Sequence, residues 1–143
     1  MKKLLSRAGV LLASVLGAFA VMPAAPAQAA DAVTPFVLTY GNSKLEGKLE
    51  WNQRSVTFSG YQTVASGSGC RRAEFRASNG MVFDWGYVSQ RCVAGKWPFQ
   101  GTLTVDKPGG PSYVDIMWYG AATQDAEWNS IGQLYCTRTG CSY

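Results

Sequence analysis

Cys70-Arg-Arg-Ala-Glu-Phe-Arg-Ala77, then Ser78-Asn79-Gly80, then Met81-Val-Phe-Asp-Trp-Gly-Tyr-Val-Ser-Gln-Arg-Cys92: this stretch decides the fold. Two runs alternate with a period of two around an Asn-Gly turn, the local signature of a β-hairpin, and a cysteine stands at each outer end to lock it. Loop length sets the register. A two-residue loop puts Phe75 opposite Asp84. A three-residue loop ending at Gly80 pairs Phe75 with Phe83 and Ala73 with Trp85, and keeps Phe75, Phe83, Trp85 and Tyr87 on one face. The second register is the expectation. It places Cys70 and Cys92 together on the opposite face, with a bulge or loop excursion absorbing the offset that strict pairing leaves between Cys70 and Val88.

All four cysteines, Cys70, Cys92, Cys136 and Cys141, lie beyond residue 30. An even number in an exported chain points to two disulfides. Of the three possible pairings, Cys70 with Cys92 and Cys136 with Cys141 are expected. The first staples the central hairpin and the second closes a small ring near the C-terminus. A zinc site is the alternative use of four cysteines, but paired C-x-x-C spacing is missing and the compartment is oxidising.

Export itself is read from the start of the chain. Lys2, Lys3 and Arg7 form a basic beginning, Val10 to Met22 is apolar, and Ala27-Gln28-Ala29 has the small residues of a cleavage site. Residues 1–30 therefore read as a secretory signal peptide, and its alanine content is of the bacterial type. The apolar run is about thirteen residues, short of the roughly twenty that span a bilayer, so no membrane insertion is expected. Residues 31–143 form a single domain. Of 13 basic residues three leave with the leader and all 9 acidic ones stay, so the net charge falls from +4 to +1. That balance gives no electrostatic case for nucleic acid or an anionic membrane.

Outward from the hairpin, the flanking segments also read as strands. Lys44 to Trp51 alternates Lys44, Glu46, Lys48 and Glu50 against Leu45, Leu49 and Trp51. As a helix the same segment would set Lys44 beside Lys48 and Glu46 beside Glu50, two like-charge pairs, so the strand is favoured. Arg54 to Val64 alternates again. Trp97 is expected in a loop before Pro98, leading into a strand from Phe99 to Asp106. A Lys107-Pro-Gly-Gly-Pro111 loop follows, then a strand from Ser112 to Tyr119. Pairing Val105 with Val114 in that hairpin sets Leu103 opposite Ile116 and Gly101 opposite Trp118. Gly120 to Glu127 is read as a turn with at most one turn of helix, and Trp128 to Thr137 as the last strand. About eight short strands separated by turn signals, with no long amphipathic helix, define an all-β fold: a small antiparallel sandwich or barrel held by two disulfides.

The chain contains no histidine. That removes Ser-His-Asp and Cys-His nucleophilic sites and the commonest metal ligand, and the cysteines are committed to disulfides. For an enzyme only a carboxylate pair is left, drawn from Glu74, Asp84, Asp106, Asp115, Asp125 and Glu127, and most of these read as surface residues. No cofactor and no metal are expected; Asp125 and Glu127 lack a calcium-loop pattern. Arg54, Arg71, Arg72, Arg76 and Arg91 cluster around the hairpin, with Glu74 and Asp84 placed to neutralise part of that charge.

Aromatic residues carry more information. Trp51, Trp85 and Trp118 alternate with the apolar core pattern and are expected inside. Trp97, Tyr113 and Tyr119 are expected to be exposed, with Gln100 and Thr102 on the same surface, and these five form the candidate ligand-binding set. The resulting expectation is a small secreted, non-catalytic binding protein whose aromatic β surface takes an extracellular glycan or cell-wall polymer. The alternative is a protein partner, as for an inhibitor of an extracellular hydrolase.

Overall fold

The computed structural model describes residues 31–143, and the signal-peptide reading of residues 1–30 lies outside the described residues. The strands are β1 (Ala32–Tyr40), β2 (Ser43–Trp51), β3 (Ser55–Val64), β4 (Cys70–Ser78), β5 (Phe83–Arg91), β6 (Gly95–Thr104), β7 (Tyr113–Ala121), β8 (Asn129–Thr137) and β9 (Gly140–Ser142). They form two antiparallel sheets packed as a sandwich, one ordered β1-β2-β3-β6 and the other β5-β4-β7-β8-β9. Both expected disulfides form, Cys70–Cys92 and Cys136–Cys141.

Alternation builds the core. In β2, Leu45, Leu49 and Trp51 point inward and are fully buried, while Lys48 ion-pairs with Glu50 on the outer face. Opposite them, Phe75, Ile116 and Trp118 point in from the second sheet and are equally buried. At the centre the rings of Phe58 and Phe75 stack across the sandwich, 4.3 Å between centroids. Two small residues make room for Phe58: a Cβ on Gly86 would stand 2.7 Å from its Cε1, and Gly101 lies against the same ring. Each buried indole has a partner. Trp51 Nε1 donates to Thr34 Oγ1 at 2.9 Å, and that hydroxyl donates on to the Thr137 carbonyl in the other sheet at 2.8 Å. Trp118 Nε1 donates to Gln62 Oε1, whose amide nitrogen donates to the Arg71 and Ser89 carbonyls. Polar groups thus stitch the sheets where burial without a partner would be costly.

The central hairpin adopts neither register weighed from its loop length. Ser78 pairs with Phe83, Arg76 with Trp85, Phe75 with Gly86 and Glu74 with Tyr87. The loop is Asn79 to Val82, longer than expected because its side chains organise it. Asn79 Oδ1 accepts from the Met81 and Val82 amides, Ser78 Oγ accepts from the Gly80 amide, and Gly80 takes a φ of 94°. The shift to odd-with-even pairing turns the whole aromatic run of β5 to the other face, since side chains alternate. Trp85, expected in the core, is on the surface, and Gly86 takes the inner position opposite Phe75. The bulge required by the cysteines lies between Arg71 and Ala73, where Ser89 and Gln90 stand against Arg72 and bring Cys92 opposite Cys70.

The expected pairing of Val105 with Val114, Leu103 with Ile116 and Gly101 with Trp118 is also overturned. β6 pairs with β3, whereas β7 lies between β4 and β8 in the other sheet. Leu103, Val105, Val114 and Ile116 are all buried in one core, but on its two sides. The Lys107 to Pro111 segment crosses between sheets, held by the Val105 amide on the Arg54 carbonyl and the Ser112 amide on the Ser78 carbonyl. Residues 122–127 form bends and turns without helix.

Candidate functional site

The register of β5 produces the most unusual surface of the molecule. Phe83, Trp85 and Tyr87 stand at alternate positions on the outer face of the five-stranded sheet, 60%, 37% and 67% exposed. Their inward neighbours are Asp84, Gly86 and Val88, so this strand turns its large residues to solvent and a glycine to the core. Ordinary patterning does the reverse, and such inversions concentrate at functional sites. Phe83 and Trp85 meet edge to face at 6.2 Å. Met81, in the preceding loop, is 84% exposed and prolongs the apolar strip. Asp84 anchors the strand from inside: its carboxylate accepts the Trp85 amide at 2.9 Å and, across the sheet edge, the Thr104 amide at 2.8 Å.

The rest of the outer face follows from the pairing of β4, β7 and β8. Arg76 lies between Trp85 and Asp115 in register. Its guanidinium sits 5.4 Å from the Trp85 ring centroid and binds the Asp115 carboxylate through Nε at 3.0 Å and through Nη2. Those hydrogen bonds to Asp115 hold Arg76 above its usual basicity. Arg72 packs on Trp128 at 4.6 Å and on Tyr119 at 5.2 Å, with Glu74 at 3.9 Å. Burial and the Glu74 carboxylate raise the Tyr119 phenol above its ordinary pKa. Tyr113 stacks on Tyr135 at 4.8 Å. The face is thus aromatic, and Arg72 and Arg76 each sit beside a carboxylate that offsets their charge.

The five residues expected to bind ligand do not share one surface. Tyr113 and Tyr119 are on the outer face of the five-stranded sheet with Asp115 and Met117, as read from alternation, but they and Trp97 are half-buried rather than exposed. Gln100 and Thr102 belong to the other sheet, on β6, and Thr102 Oγ1 lies 3.3 Å from Thr57 Oγ1. Trp97 is within β6 rather than in a loop; its indole N–H donates to the Val93 carbonyl at 3.3 Å and Arg91 covers its ring at 4.7 Å. Pro98 is accommodated because β6 is an edge strand. Trp97 and Gln100 do meet the aromatic strip: with Tyr87, Ser89 and Arg91 they line a cleft of about 230 Å³. Sequence reasoning missed Phe83, Trp85 and Tyr87 because it assigned them inward. The available signal was Gly86, the residue that leaves space for Phe58.

A broader concavity of about 1000 Å³ is lined by Pro35, Val37, Gly47, Gly60, Tyr61 and Pro98 of the four-stranded sheet and by Leu134, Gly140, Cys141 and Tyr143 from the end of the other. Its charges are engaged with one another, Glu46 with Lys44 and Lys96 and Lys48 with Glu50. Burial raises the Glu46 pKa, but the ammonium groups of Lys96 and Lys44 outweigh it and hold the carboxyl below its ordinary range. Tyr61 is covered by the Lys96 ammonium at 4.5 Å.

Four of the six carboxylates weighed for catalysis have partners, Arg72 for Glu74, Arg54 for Asp106, Arg76 for Asp115 and backbone amides for Asp84, whereas Asp125 and Glu127 lie in and beside the exposed β7–β8 turn. Among the described residues there is no group of three or more potential metal ligands. No family model, curated protein or solved structure matches this chain.

Proposed function

We propose that this is a secreted bacterial binding protein, without catalytic activity of its own, that holds an extracellular or cell-wall glycan on the outer face of its five-stranded sheet. One observation carries the reading: Phe83, Trp85 and Tyr87 are exposed side by side on a rigid strand. Full burial of a large side chain is worth about 1.5–3 kcal/mol, and Phe83 and Tyr87 forgo more than half of it while Trp85 forgoes about a third, which calls for a use. An aromatic ring is an apolar plane with little conformational entropy to lose, suited to the C–H faces of a sugar. The Arg76–Asp115 pair beside the rings supplies planar donors already fixed in place.

The test is depletion from solution by insoluble chitin, cellulose and peptidoglycan, comparing the native protein with Trp85→Ala and Tyr87→Ala. Retention of the native protein and its loss in both variants is the expected result. A native protein that stays in solution with every polymer refutes the reading. Stoichiometric suppression of an extracellular hydrolase through the same residues would assign the surface to a protein partner instead.

A further inference from the structure

We infer that the ligand is an uncharged linear glycan that runs along β5, its sugars touching Phe83, Trp85 and Tyr87 in turn, through ring faces or edges, and its end seated in the cleft beside Trp97 and Gln100. This rests on the glycan-binding reading and adds direction, length and charge class.

The direction follows from what surrounds the rings. Along the strand, alternate residues are about 6.8 Å apart, so Phe83 to Tyr87 spans about 14 Å. Nothing interrupts that line, since all three outward positions are aromatic and exposed. Across the strands the path from Trp85 is filled by the Arg76 guanidinium, which leans on the indole and is bound to Asp115. The stacked pair Tyr113 and Tyr135 lies beyond it, on β7 and β8. A chain following β5 thus meets ring after ring, whereas one crossing the sheet must break an ion pair. At the Tyr87 end, the cleft offers the polar side chains of Ser89, Arg91 and Gln100, which suits the hydroxyls of a terminal sugar.

The charge class follows from the pairing of the face. Along the strip Arg76 is matched by Asp115 on the neighbouring strand and Arg72 by Glu74 on its own strand, and the one cation of the cleft, Arg91, lies over the Trp97 ring. A polyanion lying along the strip would have to displace those carboxylates, and a polycation the guanidiniums, while the single guanidinium of Arg91 meets only the end sugar. An uncharged chain accepts both groups as they stand.

Titration with soluble chito- and cello-oligosaccharides, followed by tryptophan fluorescence and calorimetry, tests this. Affinity should climb about 2- to 10-fold for each added ring that gains an aromatic partner, the range of one aromatic contact. It should level off once three rings and the cleft are filled. Raising salt from about 0.05 to 0.5 M should change Kd by less than about twofold, because no counterions are released. Trp85→Ala should weaken the longer oligosaccharides more than the disaccharide. Were that variant to unfold, Tyr87→Ala, which removes a largely exposed ring, carries the same comparison. Retention on insoluble polymer without any length dependence overturns the lengthwise path and leaves the broader reading standing. Tighter, salt-sensitive binding to a polyuronate or teichoic acid overturns the uncharged class. Failure of every glycan removes the reading on which this inference rests.

Discussion

Gln62 is fully buried in the core and joins three elements: its Oε1 accepts from Trp118 Nε1 at 3.3 Å, and its Nε2 donates to the carbonyls of Arg71 at 3.3 Å and Ser89 at 3.4 Å. Replacing it with leucine keeps the volume and removes all three contacts. Arg71 is paired on both sides in the sheet and each carbonyl has a second lone pair, so most of the cost falls on the Trp118 N–H, a single donor in a residue with no exposure. An orphaned buried donor costs about 1–3 kcal/mol. Taking about 2 kcal/mol and a urea slope near 2 kcal/mol/M, the midpoint should fall by about 1 M with the slope unchanged. Gln62→Glu should be worse at neutral pH, because one carboxylate oxygen would face the two carbonyls. Burial would raise that carboxyl's folded pKa above its unfolded value, so the deficit should shrink as pH falls and the group protonates. In a Trp118→Phe background the indole donor is gone, and Gln62→Leu should then cost less by the coupling energy of the pair. A Gln62→Leu midpoint within about 0.2 M of the native protein, or no coupling to Trp118, would refute the reasoning.

Two further outcomes follow from other parts of the structure. Replacing both members of Cys70–Cys92 by serine should destabilise more than doing so at Cys136–Cys141, about 3.4 against 2.2 kcal/mol in the chain-entropy account; equal losses in urea denaturation would contradict it. Burial and Glu74 raise the Tyr119 phenol, so one tyrosine should ionise above the usual value of 10.0 in an ultraviolet titration. A raised folded pKa means stability present below pH 10 and lost as pH rises through that ionisation, and Tyr119→Phe should flatten this part of the stability profile. An unchanged profile would show that the phenol ionises alike in both states.

Local chemistry accounts for what was legible in the chain and for what was not. The all-β class, most strand positions, the outer charges of β2 and both disulfides could be read directly, because alternation, turn residues and cysteine spacing act over a few residues. The hairpin register turned on Asn79 and Ser78 side chains closing a longer loop, an arrangement that an Asn-Gly dipeptide does not by itself specify. That one error inverted β5 and hid the aromatic strip. The Trp97-Pro98 pair carries the local signature of a loop, yet the edge of a sheet tolerates proline and β6 runs through both residues.

The amino-acid sequence by itself determined which residues alternate, where the chain turns and which side chains seek burial. Only the tertiary structure decided which sheet each strand joins and which face of β5 meets water. Leu103 and Ile116 are equally satisfied beside one another in a sheet or across a core, since apolar burial has no direction. The choice was made by hydrogen bonds and ring packing among distant residues: Phe58 needing the space of Gly86 and Gly101, Gln62 tying β3 to β4, β5 and β7, and Asp84 holding the edge of β6. Those requirements turn Phe83, Trp85 and Tyr87 outward, and no window of sequence contains them together.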